Sequence, residues 1–177
     1  MIFMSGHSKW ATIKRSKGAA DAKRGALFTK LSKNISIAAK KGKDPEMNPS
    51  LRLAIDTART ANMTKDVIER AILRGAGELP GQQIEEVTYE CYGPGGVALL
   101  VRCATDNTNR TASFMKSTLS TYGGNLGGPG SVRYIFKQPE LYKITLPDAD
   151  AQDKFAQLLE ELEDNEDVVD ITHNAQL

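Results

Sequence analysis

The stretch that decides the fold of the first half of the chain runs from Asp21 to Lys41 and reads DAKRGALFTKLSKNISIAAKK. Its apolar residues recur three or four positions apart, which places them on one side of a helix. Arg24 falls near that side, where it either extends its charged head to water or pairs with an acid. Gly42 follows, and glycine is typical of the position after a helix. We therefore predict an amphipathic helix with an apolar stripe of Leu27, Phe28, Leu31, Ile35 and Ala38.

Two shorter helices are predicted after this one. Asn48-Pro49 is a favourable start, because asparagine caps helix N-termini and proline is tolerated at the first helical position. Thr64 can cap the next helix through its hydroxyl, and Gly75 ends it. Both helices have an apolar stripe of their own, so the three helices can cover one another's stripes in a small bundle.

Charge is divided unevenly along the chain. Residues 1–75 hold sixteen Lys and Arg against six Asp and Glu, and residues 76–177 hold seven against sixteen, although the net charge is only +1. The bias is strongest in residues 1–43, which have eleven basic residues and one acid, Asp21. Such asymmetry indicates a polyanionic partner for the basic half.

The run Gly75-Ala-Gly-Glu-Leu-Pro-Gly81 has the composition of a linker and marks the change of charge sign. We predict a basic helical domain over residues 1–76, a linker over 77–82 and a second domain over 83–177.

The second domain has an alternating pattern of predicted strands and helices. Five strands are expected, at residues 87–92, 97–105, 131–136, 142–146 and 168–172. Two helices are expected, at residues 107–122 and 149–163. The first two strands form a hairpin around Gly93–Gly96. After the first strand the order is β-α-β-β-α-β, the ferredoxin-like pattern of an antiparallel sheet with helices on one face. The whole chain is therefore predicted to be an α+β protein.

Basic residues of the first half are the candidate nucleic-acid contacts, because lysine and arginine neutralise phosphates. A solvated basic tail is the alternative, although ordinary charged faces mix both signs. Trp10 either stacks on an exposed base or packs on the bundle, with Ile13 one turn away. The candidate set is Lys9, Trp10, Lys14, Arg15, Lys17, Lys23, Arg24, Lys30, Lys33, Lys40 and Lys41.

Three motifs of the second half are candidates for binding. The polar start of the helix at 107–122 offers a possible second contact surface of Asp106, Asn107, Asn109 and Arg110, beyond what a helix cap needs. Gly123–Gly130 lacks the Gly-Lys-Ser/Thr of a phosphate loop, and a helix end followed by turns explains its glycines. The acidic run Glu160–Asp167 is a solvated face or a docking surface for a basic partner.

Signals of an enzyme, a metal or a cofactor are missing from the sequence. His7 and His173 are the only histidines and stand at opposite ends, which disfavours a metal cluster or a Ser-His-Asp set. Cys91 and Cys103 are expected to be reduced and buried. No apolar run reaches the roughly 20 residues of a membrane span. We expect a cytoplasmic, monomeric, non-enzymatic protein without cofactor.

Taken together, these motifs resemble the YebC family of gene-expression regulators. The resemblance begins at Met4-Ser-Gly-His-Ser-Lys-Trp-Ala-Thr-Ile-Lys and runs almost to the end of the chain. Three departures stand out: only residues 137–140 occupy the place of the family's usual inserted third domain, Thr64 replaces the usual proline, and Cys91 replaces the usual glycine. The other matching stretches are Asp21–Gly25, Phe28–Leu31, Asn48-Pro49, Asn62-Met63, Ile68–Ile72, Tyr89–Val97, Thr105–Thr111, Gly123–Gly127, Gly130–Val132 and Leu162–Ala175.

The resemblance implies one of two functions. Family members are described as DNA-binding transcriptional regulators and as ribosome-associated factors that aid translation. We expect the ribosomal role, because the basic helix offers mostly lysine, a point charge suited to a phosphate backbone, and few side chains of the kind that recognise base edges in duplex DNA.

Overall fold

The computed structural model describes residues 17–176, and side chains from residue 20 onward. Its helices are α1 (Lys17–Ala39), α2 (Pro49–Thr60), α3 (Lys65–Gly75), α4 (Thr108–Thr121) and α5 (Ala149–Asp164). Its strands are β1 (Glu85–Tyr92), β2 (Ala98–Thr105), β3 (Asn125–Leu126), β4 (Ile144–Thr145), β5 (Val168–His173) and β6 (Ala175–Gln176).

The described residues form two compact units. The first contains residues 17–87 together with Ala104–Thr108, and the second contains Thr88–Cys103 and residues 109–176. Mixed helices and an antiparallel sheet confirm the predicted α+β class. None of the helices within residues 17–176 has the length and apolar character needed to cross a membrane.

In the first unit, α2 and α3 both pack against α1. Asn48 caps α2 as predicted: its Oδ1 accepts from the Leu51 amide at 3.1 Å, and its Nδ2 donates to the carbonyls of Ala38 (2.8 Å) and Gly42 (2.7 Å). One buried amide therefore joins the end of α1 to the start of α2. Thr64 occupies the cap position of α3, but its hydroxyl makes no cap hydrogen bond, contrary to expectation.

The crossing of α1 and α3 depends on a glycine. The Ser36 hydroxyl is buried and donates to the Ala71 carbonyl at 2.8 Å. A Cβ atom on Gly75 would lie 2.1 Å from the Ser36 carbonyl oxygen, so only glycine permits this approach of the two backbones.

In the second unit, the four-stranded sheet has the order β3-β1-β2-β5. Both β1–β3 and β2–β5 are antiparallel, with an irregularity between Arg102 and Cys103. One face buries Leu99 and Val101 against Met115 of α4 and Phe155 and Leu158 of α5. The main core therefore lies between the sheet and two helices, as the predicted pattern requires.

The predicted strand at 131–136 is wrong. This segment forms turns and a short 3₁₀ helix, Ile135–Lys137, and it packs Val132 and Ile135 against Ala98 of β2. Buried residues three apart suit a tight helical turn, whereas a strand would alternate them. In addition, the amides of Val132 and Arg133 donate to a side chain, and so they are unavailable for a strand ladder.

Of the predicted strand at 142–146, only β4 (Ile144–Thr145) forms, and it lies outside the main sheet. It pairs in parallel with β6 in a separate two-stranded sheet. Asn174 connects the two sheets, because its Oδ1 accepts from the Ala98 amide (2.8 Å) and its backbone carbonyl accepts from the Ile144 amide (3.0 Å). Strand β3, which completes the main sheet beside β1, was not predicted.

Both cysteines are free and buried. Desolvation by burial, together with neighbouring Cys103 and Glu90, raises the pKa of Cys91 to about 12. The expectation of reduced, buried cysteines is therefore confirmed.

Candidate nucleic-acid interface

Helix α1 is about twice as long as the helices that pack against it. It has 23 residues, whereas α2 has 12 and α3 has 11. Its first turns are consequently exposed on all sides from residue 20 to Gly25, and the core begins at Phe28 and Leu31. Leu27, which was predicted to lie in the apolar stripe, is 47% exposed for this reason.

The basic residues on α1 divide into exposed and half-buried groups. Lys23 and Arg24 are exposed, as are Lys40 and Lys41 in the turn that follows the helix. Lys30 and Lys33 are half-buried, and each has a polar or electrostatic interaction. At 100° per residue, Lys23, Lys30 and Lys33 lie within a sector of roughly 80° opposite the buried Ile35.

The remaining predicted contacts, Lys9, Trp10, Lys14 and Arg15, lie outside the described residues, as does the side chain of Lys17.

None of the carboxylates that the structure describes neutralises these four exposed cations. In the described part of the chain, Lys43 pairs with Glu78, whereas Lys23, Arg24, Lys40 and Lys41 have no ion pair. Arg24 therefore extends into water and does not pair. These cations make both ends of α1 positive, and positive surfaces attract polyanions.

Three further exposed cations without an ion pair among the described residues were not among the predicted contacts. Arg52 of α2 and Arg70 and Arg74 of α3 are exposed, and within residues 17–176 none of them forms an ion pair. Their signal was present in the sequence, because residues 52–74 hold five basic residues against three acids.

The predicted second contact surface has an ordered arginine. Arg110, near the start of α4, donates through Nη2 to both carboxylate oxygens of Asp167, at 2.9 and 3.1 Å. Thr111 Oγ1 donates to the same carboxylate at 2.9 Å. The Asp167 side chain is 4% exposed and that of Arg110 is 52% exposed, so a buried acid holds a half-exposed cation in place.

The other three residues of this proposed surface, Asp106, Asn107 and Asn109, are exposed. The amide of Asn107 donates to Thr105 Oγ1 at 3.0 Å, which stabilises the turn before α4.

Glycines after α4 end that helix, as predicted. Gly123 has φ 77°, and the Gly124 amide donates to the Leu119 carbonyl at 2.7 Å, which is a typical glycine C-cap.

The loop that follows the glycines already holds an anion, the protein's own Glu90. This carboxylate accepts from the amides of Gly130 (2.7 Å), Val132 (2.9 Å) and Arg133 (3.0 Å). These hydrogen bonds outweigh desolvation, and they hold the pKa of Glu90 below its ordinary value. Amides engaged in this way are unavailable to a phosphate, which agrees with rejecting a phosphate loop here. The sequence pattern did not indicate Glu90.

Comparison with known proteins identifies the family. The TACO1/YebC protein N-terminal domain matches residues 8–78, and the TACO1/YebC second and third domain matches residues 84–149. The chain belongs to the TACO1/YebC family.

Relatives of known sequence are longer than this chain. A probable transcriptional regulatory protein of Acidobacterium capsulatum is 55% identical over 149 residues, covering 84% of this chain and 61% of that protein. One of Treponema pallidum (strain Nichols) is 62% identical over 136 residues, covering 76% and 56%. The chain thus spans about three fifths of the length of these TACO1/YebC relatives.

A solved structure is also similar. The crystal structure of the conserved hypothetical protein Aq1575 from Aquifex aeolicus matches with a TM-score of 0.82 and 33% identity, covering 96% of this chain and 97% of that one.

Proposed function

We propose that this TACO1/YebC chain is a non-enzymatic, nucleic-acid-binding regulator of gene expression, and more specifically a ribosome-associated translation factor. In this role the basic bundle binds phosphates of ribosomal RNA, and the surface around Asp106, Asn107, Asn109 and Arg110 contacts a second site.

The observation that carries the proposal is the set of exposed cations on α1 and in the turn after it. Lys23, Arg24, Lys40 and Lys41 have no carboxylate partner among the described residues, although neutralising acids are plentiful elsewhere in the chain. Lys23 and Arg24 lie near the start of α1, and Lys40 and Lys41 lie about 25 Å away at its end, so each pair can bind a different phosphate of one polyanion. The candidates Lys9, Lys14, Arg15 and Lys17 add to the same charge.

A preference for RNA is drawn from the cations of α1 and of the turn after it alone, because the other exposed cations of this unit without an ion pair among the described residues, Arg52, Arg70 and Arg74, are arginines. Three of the four exposed cations on α1 and in that turn are lysines, and lysine acts as a point charge that suits phosphates and shape. Readers of duplex DNA commonly place Asn, Gln or Arg of one helix against base edges in the major groove. The exposed side of α1 offers no such series.

DNA-binding transcriptional regulation is the second candidate, and the names of the relatives favour it. Both cited relatives are named probable transcriptional regulatory proteins. In that role the same cations bind the duplex backbone.

Charge reversal tests the shared part of both candidates. The variant K23E/K40E/K41E should bind RNA and duplex DNA far more weakly than the wild type. It should remain folded with only a small fall in unfolding temperature, because these side chains are exposed but Glu at positions 40 and 41 opposes the dipole at the C-terminal end of α1. Wild-type log affinity should fall with log salt by about 0.7 to 0.9 per phosphate contact. Unchanged affinity, or a flat response to salt, would contradict nucleic-acid binding by this surface.

Co-sedimentation separates the two candidates. We expect epitope-tagged wild-type protein to sediment with ribosomal subunits in a sucrose gradient at moderate salt. The K23E/K40E/K41E variant should not sediment with them. Absence of the protein from ribosomal fractions, combined with its recovery on promoter DNA, would favour DNA-binding transcriptional regulation over the ribosomal role.

A further inference from the structure

A segment of the second unit combines exposed tyrosines with basic side chains, in a half of the chain that is otherwise acidic. Three of the seven Lys and Arg of residues 76–177 lie within residues 131–143, beside a single acid, Glu140. We name the residues Arg133, Tyr134, Lys137, Tyr142 and Lys143 the tyrosine patch.

The two rings of the tyrosine patch touch each other and remain open to solvent. Tyr134 and Tyr142 meet edge to face, with ring centroids 5.6 Å apart and an interplanar angle of 88°. Tyr134 is 51% exposed and Tyr142 is 40% exposed. In an edge-to-face pair only one of the four ring faces is covered by the partner, so flat faces remain available for stacking.

Hydrogen bonds fix the backbone beside both rings. Before Tyr134, the Glu90 carboxylate binds the amides of Val132 and Arg133. At Tyr142 itself, the carbonyl accepts from Asn174 Nδ2 at 2.6 Å. The backbone that carries the rings is thus held before any ligand binds, which lowers the entropy cost of binding.

Cations flank the rings. Lys137 lies one 3₁₀ turn after Tyr134, is exposed, and forms no ion pair with the acids that the structure describes. The Arg133 side chain is 60% exposed, and its Nε lies 3.7 Å from Glu90 Oε1. Lys143 pairs with Glu140 at the edge of the patch.

We propose that the tyrosine patch binds a single-stranded RNA segment, with an unpaired base stacked on Tyr134 or Tyr142 and its neighbouring phosphates near Arg133 and Lys137. Aromatic faces beside cations are the common chemistry of single-strand binding. An apolar protein partner fits less well, because it would remove these cations from water without replacing their hydration. This inference rests on the proposed function and adds a second, base-stacking contact to it.

Aromatic substitutions test the stacking step in the full chain. Anisotropy of a dye-labelled oligouridylate of about ten nucleotides measures affinity. Y134A/Y142A should weaken binding by roughly 5- to 100-fold, whereas Y134F/Y142F should bind like the wild type, because stacking needs the ring and not the hydroxyl. Duplex RNA of equal length should bind all three proteins alike.

Lysine substitutions test the phosphate step. For the oligouridylate, Lys137→Ala should reduce the slope of log affinity against log salt by the amount that corresponds to about one phosphate contact. The matched control is Lys116→Ala, because Lys116 is an exposed lysine on α4 of the same unit; it should leave the slope unchanged.

Ultraviolet crosslinking of wild-type protein to the oligouridylate keeps the test decisive if the alanine variant fails to fold. An adduct on the peptide containing Tyr134 or Tyr142 is expected, and adducts confined to other peptides would overturn the proposal. So would equal oligouridylate affinity of folded Y134A/Y142A, or a loss of self-association in that variant, which would make the patch an interface between copies. If wild-type protein binds no nucleic acid at all, the result contradicts the proposed function itself, and the tyrosine patch proposal is contradicted with it.

Discussion

At the scale of single residues, buried carboxylates organise the second unit. Glu90 gathers three backbone amides of one loop, and Asp167 holds Arg110 and Thr111. Neither could be recognised from the sequence, because each carboxylate and its partners lie about 40 to 57 positions apart. Composition alone indicated only that the second half is acidic.

Replacing Glu90 by Gln should destabilise the protein at neutral pH by roughly 1.5 to 3 kcal/mol, because hydrogen bonds to a charged acceptor are lost. The folded pKa of Glu90 is lowered, so its stabilising contribution is present above the unfolded pKa of about 4.3 and disappears as the pH falls below it. Urea unfolding between about pH 3 and pH 7 should therefore show less acid sensitivity in Glu90→Gln than in wild type.

Glu85→Gln is the control for that measurement, since Glu85 is exposed on the same strand. Equal acid sensitivity of Glu90→Gln and wild type would contradict the role assigned to this carboxylate.

At the scale of elements, features set by neighbouring residues could be predicted from the sequence, whereas features set by long-range contacts could not. The cap at Asn48 and the glycine end of α4 are contacts within a few residues, and both were predicted. The segment 131–136 has the β-branched and aromatic residues of a strand, but Glu90 takes its amides and the sheet buries Val132 and Ile135. Tertiary contacts overrode local preference there.

The α1–α3 crossing offers a prediction of its own. Gly75→Ala should cost roughly 1 to 3 kcal/mol or more, because the added Cβ meets the Ser36 backbone and forces the helices apart. Gly25→Ala is the matched control within α1: nothing lies within 4 Å of the added Cβ, so a gain of up to about 1 kcal/mol is expected. Chemical denaturation measures both. A Gly75→Ala protein as stable as wild type would show that the bundle can relax freely.

At the scale of the whole molecule, segregated charge is the feature that sequence alone captured best. The count of basic and acidic residues predicts a polyanionic partner for the first half, and the structure leaves cations of that half exposed; the binding itself stays a prediction. The same count could not locate the tyrosine patch, because its three basic residues are outnumbered by the acidic residues of the second half.

Removing acids from α5 should raise RNA affinity only when salt is low. The triple variant D153N/E160Q/D164N loses three exposed charges that repel RNA, and the effect should vanish near physiological salt, where the Debye length is about 8 Å. Anisotropy titrations at low and physiological salt provide the measurement. A fall in affinity would indicate that these carboxylates contact the partner directly.

The buried thiols have a practical consequence for such experiments. Cys91, with its pKa near 12, offers almost no thiolate at neutral pH, and Cys103 is wholly enclosed. Maleimide dyes should therefore spare the native chain. An Ala22→Cys variant, changed at an exposed and uncharged position of α1, would then carry one fluorophore that reports ligand binding to α1, and neither native cysteine would have to be replaced first.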